Sequence, residues 1–558
     1  VRFGQEVAGV MELGMSHRGE HAEIETFVGQ SVDSELSGNM IDICPVGALT
    51  SKPFRYSART WELSRRKSVS PHDSTGANLI VQVKNHRVMR VVPLENEAVN
   101  ECWIADRDRF SYEAVNSEER LTAPMLKQGG EWKTVDWQTA LEYVANGLKQ
   151  VKAEHGAGAI GLLASPHSTL EELALAGALV RGLGSENIDS RLRQADFGNT
   201  AAAGSARWLG MPIAALSGLQ RVLVVGSNLR KDHPLFAQRI RQAARKGGQV
   251  NVLNDRVQDW AMPVANDVTV DSNHWVAALA GIAADVAAET GVQTPSAGEV
   301  NDTTPAVARS LLSGEQKAIL LGKAAAHHEK ASSLLSLANW IAQQTGASIG
   351  YLTEAANTVG AQLVNALPGQ GGFNAGQMLG GGLKAALLLN NEPGFDSASG
   401  SQGLVNAGMV VTLSPFKANM DISDVLLPIA PFTETSGSFV NAEGRLQSFH
   451  AVVRPLGDTR PAWKVLRVLG NLLGLSGFDA DSSQAVLASV LPGVASGEVV
   501  AASRLSNADA GVGPAAADLG PAQYKPCVAS IYQLDSLVRR ASSLQLTADA
   551  RAAEGANA

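Results

Sequence analysis

The sequence predicts an α/β protein with doubly wound parallel sheets, preceded by a small β-rich module. Three observations carry this. Short apolar runs at 159–164, 221–226, 250–253, 318–322 and 385–389 recur between helix-length segments, the pattern of parallel strands buried on both faces. Residues 79–84 and 87–92 are β-branched and partly alternating around Asn85-His86, which reads as a hairpin. At 558 residues, 45% hydrophobic and only 5% aromatic, the chain has room for three or four domains with large cores.

Taken in order, residues 1–55 form the end of an irregular region. Phe27-Val28 reads as a short strand piece, and Ser37-Gly38-Asn39 as a turn before Cys44. Residues 56–115 are the β-rich module and 116–455 the α/β body. Asp136 is placed to cap a helix over 137–151. Ser168-Thr169-Leu170-Glu171 has a capping-box pattern, and the helix behind it, 170–183, ends at Gly184, which suits the C′ position. Ser227 to Pro234 turns into a helix reaching Lys246. Residues 456–558 are a C-terminal helical region and flexible tail. A helix runs from Pro461 to about Leu475, and 501–526, rich in Ala, Gly and Ser, reads as a loosely packed connection. A short helix over 531–546 has Leu534 and Leu537 on one face, and the small, polar end 548–558 is expected to be disordered.

Net charge is −8, which argues against nucleic acid as a partner, since that calls for a basic domain or stripe. Arg65-Arg66-Lys67 is the main basic cluster and reads as a solvated face or a subunit contact. Three widely spaced cysteines, Cys44, Cys102 and Cys527, do not make a disulfide framework and fit a reducing compartment. No apolar run reaches the roughly 20 residues that span a bilayer, so membrane contact is expected only through partners.

Cys44 is the candidate metal ligand. It is followed by Pro45 and the small, apolar Val46-Gly47-Ala48-Leu49. A cluster-ligating Cys is often followed by Pro, which fixes φ and removes a donor beside the metal. Residues 45–49 would then supply a dry wall without charged side chains. On these residues alone the competing reading, a buried free thiol, stays open.

The flanking sequence carries a resemblance. Val1-Arg2-Phe3-Gly4-Gln5-Glu6-Val7-Ala8-Gly9 resembles the segment after a Cys-x2-Cys-x2-Cys run in the large iron–sulfur subunits (the 75-kDa type) of respiratory complex I, NADH:quinone oxidoreductase. The resemblance makes Cys44 the fourth ligand of a [4Fe–4S] cluster whose other three Cys precede Val1. The chain starts with Val rather than Met, as expected of a cut sequence, so a leader peptide is not legible. The β-rich module resembles the iron–sulfur domain that opens molybdenum-bis(pterin) oxidoreductases. The positions matching that domain's four Cys are Ser70, Asp73, Ala77 and Ala105. Two of these have no donor atom and only Asp73 suits iron, so no cluster is expected there. A rearranged site using His72 or Cys102 is the weaker alternative.

The body resembles molybdopterin oxidoreductases, chiefly through 424–431 and the run from Glu434 to Gln447, which holds Asn441, Glu443, Gly444 and Arg445. In the enzymes this region lies near pterin-nucleotide phosphates; its structural reading is an internal polar network after a buried strand. Ser227 to Pro234 and Asn390 to Gly394 are nucleotide-facing turns in the enzymes and are read here as plain loops. The resemblance implies an electron-carrying subunit that also scaffolds the peripheral arm of complex I. Its implied partners are the NADH/FMN-binding subunit and downstream iron–sulfur subunits. Its implied location is peripheral, on the cytoplasmic side of a bacterial inner membrane. Molybdenum is not expected, and this fragment alone is not expected to be catalytic. The alternative is a molybdopterin-dependent oxidoreductase of the formate dehydrogenase or nitrate reductase type.

Overall fold

The computed structural model describes residues 1–27, 31–299, 301–509, 511 and 513–557, without the side chains of 554–557. The strand piece expected at Phe27-Val28 falls partly outside the described residues. What precedes it is an antiparallel pair, β1 (Leu13–Ser16) and β2 (Glu23–Thr26), with Met15 opposite Ile24. Ser37 and Gly38 lie in the expected turn, and the chain winds directly from it into a one-turn helix, Asn39–Ile43. The Asn39 side chain holds the junction, donating to Leu36 O within the turn and to Ile104 O of the β-rich module.

The β-rich module is a three-stranded antiparallel sheet of β3 (Ser64–Val69), β4 (Asn78–Lys84) and β5 (Arg87–Pro93). Asn85 (φ 51°) and His86 (φ 60°) both lie in the left-handed region, as a two-residue hairpin turn matched to strand twist requires. One face of this sheet buries Leu79, Val81, Val83, Val88 and Val91.

The body contains two parallel sheets, as the apolar runs foretell. An antiparallel hairpin of β6 (Met125–Gln128) and β7 (Glu131–Thr134) adds to the edge of the larger one. That sheet has the order β7-β6-β17-β16-β15-β8-β9, with β8 (Ile160–Ala164), β9 (Ile188–Asp189), β15 (Ala385–Leu389), β16 (Met409–Ser414) and β17 (Val425–Pro428) mutually parallel. The smaller has the order β12-β11-β10-β13-β14, built from β10 (Arg221–Val225), β11 (Gln249–Asn254), β12 (Asn266–Thr269), β13 (Lys317–Leu321) and β14 (Ser348–Tyr351). Strands β8, β15 and β16 are buried along their whole length, which is why they read as unbroken apolar runs. A final hairpin, β18 (Gly437–Val440) and β19 (Leu446–Phe449), packs against β3.

The helix starts follow the side chains. Asp136 accepts from the Thr139 N–H and opens helix Trp137–His155. The capping box sits one residue later than the pattern placed it: Thr169 and Glu172 cap each other's backbone at the start of Leu170–Gly182, and Gly184 follows at φ 92°. Glu171 is instead used over a longer distance, accepting from the Ser438 N–H at 2.9 Å.

The C-terminal region differs most from the sequence expectation. In place of one helix over 531–546 there are two single turns, Ser536–Arg539 and Ser542–Gln545. Asp535 caps the first, and Glu113 holds the second by accepting from Ser543 N–H and Oγ, both at 2.7 Å. The stretch expected to be disordered is a helix, Ala548–Asn557, with Asp549 accepting from Lys231 Nζ at 2.7 Å; Ala558 lies outside the described residues. Within 501–526, read as loosely packed, Asn507 donates to Trp208 O (2.9 Å) and Ile349 O (2.7 Å), so this part is pinned to the smaller sheet.

Candidate functional site

Cys44 closes the one-turn helix Asn39–Ile43, its N–H donating to Met40 O at 3.1 Å. The helix is fixed to the β-rich module at three points. Asn39 donates to Ile104 O (2.8 Å) and accepts from Ile104 N–H (3.2 Å). The Gly38 N–H and Ser37 hydroxyl both donate to Asp106, at 2.7 and 2.6 Å. Arg109 donates to Asp42 at 2.6 Å. Burial pushes the Asp106 carboxyl up to about 6.

After Cys44 the chain reverses, with Gly47 at φ 69°. Backbone N–H groups, Leu49 foremost and then Ala48, Val46 and Gly47, act on the sulfur and hold the thiol below its usual pKa. Donors gathered round a sulfur favour its anionic form, the form that ligates metal. The expected dry wall is not built by this chain: Pro45, Val46, Gly47, Ala48 and Leu49 are all exposed, Val46 at 83%. Their small, uncharged side chains lie on the surface because nothing among the described residues packs over them. Among the described residues no group of three or more His, Cys, Asp or Glu converges on a metal site, so Cys44 is one corner at most.

The four positions Ser70, Asp73, Ala77 and Ala105 are buried together in the β-rich module. The Ser70 hydroxyl donates to Asp108 at 2.6 Å. Asp73 is ion-paired with Arg107; burial opposes its charge, but Arg107 and His233 outweigh that and bring it down to about 2. Ala77 and Ala105 belong to an apolar cluster with Val69, Leu79 and Ile104. His72 Nδ1 donates to Asp535 and its Nε2 meets the Ser111 hydroxyl, each at 2.7 Å, while Cys102 is exposed. The rearranged ligand set is therefore not assembled: both His72 nitrogens are engaged and Cys102 faces outward.

In each parallel sheet the strand order reverses once, between β8 and β15 in the larger and between β10 and β13 in the smaller. Ligands of doubly wound sheets bind outside the strand carboxyl ends at such points. The turns read as loops, Ser227 to Pro234 and Asn390 to Gly394, stand there. Between the sheets lies a small cleft of about 90 Å³ lined by Pro166, Arg193, Lys323, His327, Thr353 and Glu354. Burial would raise Glu354, but Arg193, His327 and Lys323 outweigh it and bring it down to about 2. The chain's own C-terminal segment is bound to the same turns. Arg540 donates to both oxygens of Glu392 (2.7 and 3.1 Å), Arg539 to both of Asp396 (2.8 and 3.1 Å), and Arg193 joins Asp396 (2.8 Å) to Glu354 (2.6 Å). Sequence reading missed this segment, whose only signal was the Arg539-Arg540 pair.

The Glu434–Gln447 region forms the polar network expected of it. Arg445 donates to Glu443 (2.5 Å), Glu443 accepts from the Ile213 N–H (2.7 Å), and Asn441 accepts from the Arg445 N–H (2.9 Å).

A body of two doubly wound sheets closed around a crevice is the architecture of molybdopterin oxidoreductases, and the chain belongs to that family. The family model for molybdopterin oxidoreductase matches residues 120–472, more than half of the chain. Two further models match, the ferredoxin-like domain of NADH-quinone oxidoreductase subunit 3 over residues 1–50 and the NADH-ubiquinone oxidoreductase NDSU1/NuoG-like 4Fe-4S domain over residues 63–113. Within the family, the chain is similar to an NADH-quinone oxidoreductase subunit of Rickettsia felis, 29% identical over 85% of this chain and 65% of the relative. It is 27% identical to the NADH-ubiquinone oxidoreductase 75 kDa subunit of Reclinomonas americana, over 85% of this chain and 66% of the relative. The mitochondrial 78 kDa subunit of NADH-ubiquinone oxidoreductase from Candida albicans is 30% identical over 85% of this chain and 61% of the relative. The chain thus spans somewhat under two thirds of the length of these curated relatives. Acetylene hydratase from Pelobacter acetylenicus shares the fold, with a TM-score of 0.55 at 14% identity over 76% of this chain and 71% of that one.

Proposed function

We propose that this chain is an electron-carrying and scaffolding part of an NADH:quinone oxidoreductase of the complex I type. The observation that carries the reading is the placement of Cys44, on a turn pinned to the β-rich module by Asn39 and Asp42, within the segment matching the ferredoxin-like domain of such subunits. Cys44 would supply one ligand to a [4Fe–4S] cluster, and residues preceding Val1 in the whole protein would supply the rest. Bound there, the cluster provides one-electron transfer. The chain's residues hold the ligand turn on the β-rich module through Asn39, Asp42 and Asp106. No acid–base or nucleophilic step is assigned to them, and the fragment is not catalytic alone.

The β-rich module carries no second cluster in this reading. Where four thiolates would be needed, an Asp73–Arg107 ion pair, a Ser70–Asp108 hydrogen bond and two alanines in an apolar cluster occupy the space. The crevice does not suit a pterin dinucleotide either, because Arg539 and Arg540 of the same chain hold Glu392 and Asp396 beside its nucleotide-facing turn. That arrangement weighs against a formate dehydrogenase or nitrate reductase activity, and no molybdenum step is derived.

The partners in this reading are the NADH/FMN-binding subunit and downstream iron–sulfur subunits. The location is peripheral, on the cytoplasmic side of a bacterial inner membrane and attached through those partners; among the described residues no helix is long and apolar enough to cross a membrane. The test is metal analysis of the whole protein in its assembly. The reading expects iron and sulfide and no molybdenum; about one molybdenum per chain would overturn it in favour of a pterin enzyme.

A further inference from the structure

We propose that the outer face of the β3–β4–β5 sheet, with the segment crossing it, is a docking surface for an acidic patch on a different protein chain. Nothing in the electron-transfer reading says which surface meets a neighbour.

Strand alternation and register assemble the face. Arg65 is opposite Gln82, which is opposite Arg90, and Lys84 is opposite Arg87, with Lys67 two positions beyond Arg65. Five cations therefore stand on the side of the sheet facing away from the buried Leu79, Val81 and Val91. Residues 52–92 contain nine Lys and Arg against two carboxylates, in a chain of net charge −8. Both carboxylates are engaged, Glu62 with Lys84 at 2.9 Å and Asp73 with buried Arg107. The face adjoins the Cys44 turn, since Asp42, held by Arg109, also acts on Arg90.

Charge alone has a plainer explanation. β3 is an edge strand, and Arg65, Arg66 and Lys67 would deter strand-to-strand aggregation. Arg87 and Arg90 stand on β5, the opposite edge, and fit the same explanation, but edge protection leaves the aromatics unexplained. Tyr56 is 97% exposed and Trp61 82% exposed, with the Arg55 and Arg59 guanidinium groups 5.9 and 6.0 Å from the ring centroids. Phe54 lies 4.5 Å beneath Arg90. Tyr, Trp and Arg are the residues on which protein–protein binding energy concentrates. The surplus of cations selects a partner that is acidic where it touches, and complementary charge sets orientation and rate of encounter. A second copy of this chain fits less well, because its own equivalent face is cationic.

The experiment uses the intact assembly purified through a tag on this chain. A zero-length carbodiimide joins lysine amines to carboxylates in direct contact, and mass spectrometry reads the joined peptides. The expected result is Lys67, Lys84 or Lys52 joined to an Asp or Glu of a different polypeptide. Links confined to this chain or to an isotopically marked second copy, or no links, would overturn the proposal. As a second arm, the triple variant Arg65→Glu/Lys67→Glu/Arg87→Glu should lower recovery of that linked partner at least tenfold at low salt. Its melting temperature should stay close to wild type, because these side chains are exposed. Unchanged recovery overturns the proposal. So does absence of the cross-link while the chain binds phosphatidylglycerol vesicles or single-stranded DNA through the same residues. The read-out is a covalent link between chains, so it stands or falls separately from whether the assembly oxidises NADH.

Discussion

The Asp535 carboxylate accepts a 2.7 Å hydrogen bond from Nδ1 of His72, tying the C-terminal segment to the β-rich module 463 positions earlier in the chain. An ionised carboxylate only accepts, so Nδ1 carries the proton, and Nε2 pairs with the Ser111 hydroxyl at 2.7 Å. Burial would raise Asp535, but His72 outweighs it and holds the carboxyl well below its usual range. Asp535→Ala should therefore cost about 2–3 kcal/mol, the scale of a buried hydrogen bond to a charged group. Its folded-state pKa is depressed, so the stabilisation is present above about pH 4, the unfolded value, and fades as pH falls below it. Urea melts of wild type and variant at pH 7 and pH 3 would check this: the gap should be large at pH 7 and smaller at pH 3.

The opposite pH dependence belongs to Glu171 and Glu172, which burial pushes up to about 7. A carboxyl with a raised folded pKa stabilises fully below its unfolded value near 4.3, and that contribution is lost as pH rises to about 7. Glu172→Gln keeps an acceptor for the Thr169 N–H but never ionises. The variant should match wild type at pH 4 and exceed it at pH 8 by about 1–3 kcal/mol. Equal melting curves at pH 8 would contradict the buried, protonated state.

Arg120 and Glu434 form a buried bidentate pair, with both bonds at 2.8 Å, between the start of the body and the Glu434–Gln447 region. Removing one partner strands the other charge, so Arg120→Ala should lose about 3–5 kcal/mol. The double variant Arg120→Met/Glu434→Leu should recover much of that loss, as thermal melts would show.

Gly322 lies where the smaller sheet reverses its order, and a Cβ there would collide with the Ser227 side chain and the Gly226 carbonyl. Its backbone conformation (φ −80°) is ordinary, so the requirement is for space. Gly322→Ala should cost at least about 1–3 kcal/mol through overpacking, readable by hydrogen exchange at the ends of β10 and β13.

These residues also mark how much was legible in the sequence. Local chemistry read well: Asp136 caps as its position implies, and Asn85-His86 turns the hairpin. The two parallel sheets followed from apolar runs too short for helices. Legibility failed where a distant partner decides the outcome. The 531–546 stretch breaks into two turns because Glu113 takes the second, and the 548–557 stretch is helical where Lys231 meets Asp549. The wall of residues 45–49 failed differently: the side chains are apolar as read, but burial depends on a neighbour this chain does not provide.

The central claim is that Cys44 ligates a tetranuclear cluster, and electron paramagnetic resonance of the assembled complex tests it most directly. In the whole protein, Cys44→Ala should remove one [4Fe–4S] signal and stop electron flow from NADH to quinone. An unchanged spectrum with undiminished iron would contradict the account.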